Sequence, residues 1–201
     1  MIHLFLSWSG QRSYLVAKAF YVSLKEIFRD SDLEIYFSEN MTKGVRWNQA
    51  LNDALNNADF GILCLTKENL SAPWLMYEAG ALSRKAVVAP FLLDLDAPKP
   101  EEPVTQFQLT TFEREDLKSL ILSIRDCFVD KKEAVVDQDI LERLFQLEYD
   151  RKEGGLEQRL REAREARESD KKDRIERLRE LCKDNQTLLR DVLFEIQTRC
   201  T

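Results

Sequence analysis

Hydrophobic positions along the chain alternate between short continuous runs and stretches with helical spacing. Ile2–Leu6, Leu33–Phe37, Phe60–Thr66 and Val87–Leu93 are apolar runs of strand length, each bounded by polar or turn-forming residues. Between them, Val16, Ala19, Phe20, Ser23, Leu24 and Ile27 recur at intervals of three and four, as do Trp47, Leu51, Ala54 and Leu55. Leu117, Leu120, Ile121, Ile124 and Phe128 repeat the pattern further on. These spacings predict a helix beginning near Ser13, read as its cap, and further helices over Trp47–Asn57, Trp74–Lys85, Glu113–Phe128 and Ile140–Tyr149. Pro90 demands an edge-side or bulged position in the fourth strand, and Phe107–Thr110 is expected to add a short fifth one. Strand and helix alternate from the start, and the strands are apolar almost throughout. This predicts an α/β fold: a parallel sheet covered by helices on both faces.

In such sheets ligands bind beyond the carboxyl ends of the strands, near the point where the strand order reverses. Ser7–Ser13, Ser38–Arg46 and Lys67–Trp74 leave the strands on that side. The last of these runs into Ser71-Ala72-Pro73-Trp74-Leu75-Met76-Tyr77-Glu78-Ala79-Gly80-Ala81-Leu82, where Ser71 and Pro73 are helix-start signals. Helical spacing then puts Trp74 and Glu78 on one face. Glu78 is a carboxylate in an otherwise apolar helix. It must be ion-paired, exposed at a cleft or perturbed in its titration, and the pattern alone leaves these readings open.

The composition changes toward the C-terminus. Residues 1–130 read as one domain and 131–201 as a helical extension. Charge of mixed sign dominates Gly155–Lys183, with i,i+4 pairs such as Glu168/Lys172 and Asp170/Arg174. Ile175, Leu178, Cys182, Asn185, Leu189, Val192 and Ile196 then follow a heptad seam, a coiled-coil pattern from about 175 to 196. A solvated helix folding back on the domain and a self-association element both satisfy it.

Composition removes several function classes. The formal charge of −6 argues against a nucleic-acid groove spread over the surface. The apolar N-terminus is short and lacks a basic lead-in, so it reads as a first strand and not a signal peptide. No run approaches membrane-spanning length. Cys64, Cys127, Cys182 and Cys200 are scattered and accompanied by one histidine, His3. Reduced thiols in a cytoplasmic protein are expected, with neither a metal site nor a disulfide framework. A Ser-His or Cys-His nucleophile would have to use His3, which lies inside the first strand. GxSxG, GxxxxGK[ST] and GxGxxG are missing from the sequence. An enzyme built from this chain would work with carboxylates, amides, hydroxyls and aromatic surfaces.

Taken together, three stretches resemble the bacterial TIR (Toll/interleukin-1 receptor) domain of the NAD-cleaving type. Ile2–Gly10 is similar to its first-strand signature, Ser38–Trp47 occupies the place of its variable BB loop, and Trp74–Glu78 matches its Trp-x-x-x-Glu helix motif. The resemblance covers about residues 1–130. It departs from receptor and adaptor members in having no proline in the BB loop. It implies a flavodoxin-like sheet and hydrolysis or cyclisation of NAD, with Glu78 as catalytic residue, NAD as substrate and no further cofactor. Phe5, Ser7 and Trp8 would line the pocket, Ser38 and Glu39 close it, and Trp74 wall its nicotinamide end. Plain packing for Trp8 and Trp74 and a solvated charge for Glu39 stand beside those roles. Further implications are self-association through TIR surfaces and the C-terminal helix, an upstream activating protein or signal, and an antiphage defence role. No membrane or nucleic-acid partner is expected. A non-catalytic recruiting scaffold and a nucleoside deoxyribosyltransferase-like enzyme are the rivals; the Trp-x-x-x-Glu spacing favours the TIR reading.

Overall fold

The apolar runs pair into one parallel sheet. The computed structural model of the chain describes residues 1–37, 47–70, 73–94, 106–134 and 136–166, with the side chains of 47–51 and 73–77 left aside. In chain order the elements are β1 (Ile2–Ser7), α1 (Gln11–Ile27), β2 (Leu33–Phe37), α2 (Trp47–Asn57), β3 (Phe60–Leu65) and α3 (Pro73–Leu82). They continue with β4 (Val87–Leu92), β5 (Thr110–Thr111), α4 (Arg114–Asp130), α5 (Gln138–Tyr149) and α6 (Leu156–Glu165). The strand order is β2-β1-β3-β4-β5, every pairing parallel. This is the flavodoxin-like arrangement, with the reversal of order between β1 and β3.

Strand side chains alternate between two cores, as the pleat requires. Leu4, Leu6, Ile62, Cys64 and Phe91 face a large cluster built with Val16, Phe20 and Leu24 of α1 and Leu117, Ile121 and Phe128 of α4. Phe5, Leu63, Leu65 and Leu92 face a smaller cluster with Leu55 of α2 and Ala79 and Leu82 of α3. The region after residue 130 adds Leu141 and Phe145 of α5 and Leu156, Leu160 and Ala163 of α6 to the larger cluster. Contacts divide the chain into a compact unit Met1–Arg164 and a second unit Glu165–Thr201. The expected heptad seam and charge pairs from Glu168 onward lie outside the described residues. Among the described residues no helix is long and apolar enough to cross a membrane.

Several boundaries differ from the sequence reading. Ser13 does not cap α1, which starts at Gln11 after Gly10 with φ 86° and ψ 165°. That left-handed backbone suits glycine. It starts the helix earlier and leaves the Ser13 hydroxyl to accept from the Ser9 N–H (3.1 Å) and donate to the Cys64 carbonyl (2.6 Å). The fifth strand is Thr110–Thr111, not Phe107–Thr110, because only these residues reach the register of Phe91 and Leu92. Helix α3 ends at Leu82, whose carbonyl receives the Lys85 and Ala86 N–H groups in a closing turn. Pro90 pairs with Leu63 on one side, and β5 begins to pair only at Phe91, so among the described residues β4 has no strand neighbour there on the other.

Candidate active site

The crevice beyond the carboxyl ends of β1 and β3 is the expected ligand position in this topology. Ser7 is the last residue of β1 and aligns with Leu63 of β3. Its hydroxyl donates to Oε2 of Glu78, which α3 carries back over the sheet. Both residues are buried, Glu78 to 3% exposure. A carboxylate so covered is costly unless it is hydrogen-bonded, and a hydroxyl at the end of an otherwise apolar strand supplies a donor.

Alternation along β1 puts Phe5 on the same face as Ser7. Phe5 is buried and stacks on Tyr36 of β2, its partner in register, with ring centroids 5.0 Å apart and planes 11° from parallel. Burial first, and then the negative charge of Glu78, push the Tyr36 phenol above its ordinary titration range. The carboxylate therefore acts on a tyrosine two strands from its own helix connection. One residue beyond Ser7 the alternation reverses. Trp8 packs against the larger core, edge-on to Tyr14 at 5.2 Å and 6.1 Å from Phe37. Its indole N–H is buried without a hydrogen-bond partner among the described residues.

Of the residues singled out in the sequence, the structure thus joins Ser7 to Glu78, places Phe5 on the same face of β1 as Ser7 and packs Trp8 against the larger core. Trp74 sits in the first turn of α3, its side chain outside the description; Ser38 and Glu39 fall outside the described residues.

The loops that carry the site are laced to each other. Asn69, after β3, accepts from the Thr66 N–H (2.8 Å) and donates to the carbonyls of Cys64 (3.0 Å) and Ser9 (3.2 Å). Arg12, after β1, is ion-paired with Glu68 (2.9 Å) and Asp94 (2.8 Å). Burial pushes the Glu68 carboxyl up, but hydrogen bonds from Thr66 and its own N–H, together with Arg12, hold it below the usual carboxylate range. Sequence reasoning missed Tyr36, Asn69, Glu68 and Arg12. For Arg12 a signal existed: it stands four residues before Val16, on the apolar face of α1, where a charge must find a buried partner.

Among the described residues no group of three or more His, Cys, Asp or Glu side chains is placed to hold a metal ion. Two surface depressions, one between β4 and α4 that includes Thr110 and Asp116 and one between α4 and α5 that includes Lys118 and Glu142, do not include Glu78.

No curated protein matches. Among solved structures, the chain is similar to an azoreductase from Bacillus anthracis str. Sterne at 13% identity and a TM-score of 0.35, over 81% of this chain and 99% of that one. The family model of the TIR domain matches residues 4–121, more than half of the chain and inclusive of Phe5, Ser7, Tyr36 and Glu78. The chain belongs to the TIR domain family.

Proposed function

We propose that this TIR domain cleaves the bond between nicotinamide and ribose in NAD, with Glu78 as its catalytic carboxylate. The observation that supports this reading best is the buried Glu78 carboxylate, hydrogen-bonded to Ser7 beside the reversal of strand order. As the bond breaks, its electron pair returns to the pyridinium nitrogen, so nicotinamide leaves neutral and needs no acid. Positive charge develops on the ribose as an oxocarbenium ion. A fixed carboxylate beside that carbon stabilises it electrostatically, an effect typically worth about 3 kcal/mol. Water then completes hydrolysis to ADP-ribose, or an adenine nitrogen closes a cyclic product. Phe5, on the same face of β1 as Ser7, stacks on Tyr36, whose phenol the charge of that carboxylate pushes up. In the assembled state TIR surfaces of neighbouring copies complete the site, so the isolated chain has low basal activity and an upstream protein or signal triggers it. Loss of NAD, or a cyclic ADP-ribose-type signal, suits a cytoplasmic antiphage effector.

The test is incubation of concentrated and of bead-immobilised protein with NAD, followed by chromatography of the products. Wild type should release nicotinamide, and Glu78→Gln and Glu78→Ala should not. The glutamine variant should also lower the Tyr36 titration toward its ordinary range, because the neighbouring charge is gone. Turnover retained by Glu78→Gln would remove Glu78 from the chemistry. No release by any wild-type assembly would favour a recruiting scaffold instead.

A further inference from the structure

Arg12 lies in the first turn of α1 and is 5% exposed, yet the proposed chemistry gives it no task. Its guanidinium is fully engaged. Nη1 donates to both oxygens of Glu68 (2.9 and 2.9 Å). Nη2 donates to Oδ2 of Asp94 (2.8 Å) and to the Arg164 carbonyl (3.3 Å), and Nε to the Ala163 carbonyl (3.3 Å). These bonds use every N–H that an arginine side chain has. The partners come from separate places in the chain: the connection from β3 to α3, the residues just past β4, and the last turn of α6. Arg12 itself follows β1, whose last residue is Ser7, and Glu68 precedes α3, which carries Glu78.

We propose that Arg12 is the positioning residue of this site: it locks the exits of β1, β3 and β4 to the end of α6 and so sets where Ser7 and Glu78 stand. The planar fork is essential to that role. A lysine keeps the charge but offers three donors from one nitrogen and cannot reach four partners held in different directions. Asn69 also ties the exits of β1 and β3, through Ser9 and Cys64, so a loosened Arg12 raises the mobility of these connections without opening the sheet beneath them. The kinetic part of the test rests on the NAD-cleaving reading; the structural part does not.

The experiment compares full-length wild type, Arg12→Lys and Glu68→Gln by hydrogen exchange with mass spectrometry and, in immobilised assemblies, by NAD turnover. Glu68 is half-exposed, so its variant carries the test if Arg12→Lys fails to fold. Exchange should rise in peptides spanning residues 7–13 and 66–82 while peptides from β2 and α4 stay unchanged. The kcat of Arg12→Lys should fall roughly tenfold to a hundredfold with KM altered little, the signature of a displaced catalytic group. Glu68→Gln should move both readouts in the same direction by less. Unchanged exchange, or a uniform rise over all peptides, would overturn the inference and leave Arg12 a stabilising ion pair. If wild type releases no nicotinamide, the NAD reading falls, and the exchange pattern alone decides whether Arg12 holds these loops.

Discussion

Substituting Arg159 with alanine should destabilise the domain by about 2–3 kcal/mol, below the roughly 3–5 kcal/mol of a fully orphaned buried charge. The reason is the surroundings of Glu148. This residue of α5 is 2% exposed, and its Oε1 accepts from Ser23 of α1 (2.8 Å) and from Arg159 of α6 (2.9 Å). Its Oε2 meets Arg151 at 2.5 Å, with Arg151 44% exposed. Arg159 also donates to the Ser23 hydroxyl (3.0 Å), so three helices meet at one carboxylate. Without Arg159 the carboxylate stays buried with the hydroxyl and the solvent-screened Arg151, which is why the cost is reduced and not abolished. The same reasoning gives a smaller cost for Glu148→Leu, because the two arginines left behind reach water at the surface. Combining Glu148→Leu with Arg159→Met should cost less than Arg159→Ala alone, since no charge is then stranded. Urea unfolding of the four proteins should show shifted midpoints at a common slope. In thermal melts Arg159→Ala should lose roughly 4–12 °C, at about 2–4 °C per kcal/mol for a chain of this size. A loss for Glu148→Leu equal to that for Arg159→Ala would refute the reasoning, because it would mean the pair matters by packing and not by its uncompensated charge.

Two further outcomes follow from packing and titration elsewhere. A Cβ on Gly61 would stand 2.7 Å from Cδ1 of Leu82, so Gly61→Ala should cost about 1–3 kcal/mol through displacement of that buried leucine, measurable as a lowered urea midpoint. Burial pushes Asp59 up, but the His3 N–H (3.0 Å) and Lys131 (2.7 Å) pull it further down, so its folded titration lies below the unfolded value. Its contribution is therefore complete above the unfolded carboxylate range, about pH 4, and is lost as pH falls through the lowered folded value. Melting temperatures measured against pH should show a shallower acid limb for Asp59→Asn than for wild type.

The sheet was legible because each strand is long enough to declare its pattern. Phe60–Leu65 is buried at every position and reads as an interior strand; β5 has two residues, too few to show any period, and was misplaced. The inner face of α4 was legible for the same reason, five buried positions at helical spacing. The start of α1 was misread because Ser13 has the chemistry of a cap but spends its hydroxyl on Cys64, a contact across fifty-one positions that no local rule reports. Glu78 and Ser7 could be named separately, one from an apolar helix and one from a strand end. That Phe5 and Ser7 share a face with Glu78 while Trp8 does not follows from alternation once β1 is known to run through Ser7. Tyr36 needed the register with Phe5, and Arg12 needed Glu68 and Asp94, which lie fifty-six and eighty-two positions away.

Helix α3 has one charged residue among PWLMYEAGAL, and that residue is buried. Stability alone would favour an apolar side chain at position 78 and a larger one at Ser7, where β1 could extend the packing of Phe5 and Leu63. The chain instead places a carboxylate, on a helix with no other charge to offer, and the hydroxyl that satisfies it beside the reversal of strand order between β1 and β3. Local choices that oppose the rest of an element mark the places where selection acted on something other than folding. The buried arginine beneath those loops fits the same logic. Ion pairs with Glu68 and Asp94 and contacts to the end of α6 are a costly way to stabilise a sheet already filled with phenylalanine and leucine. They are an efficient way to hold three loops at fixed distances, since a planar group with five directed donors restrains its partners in orientation as well as position.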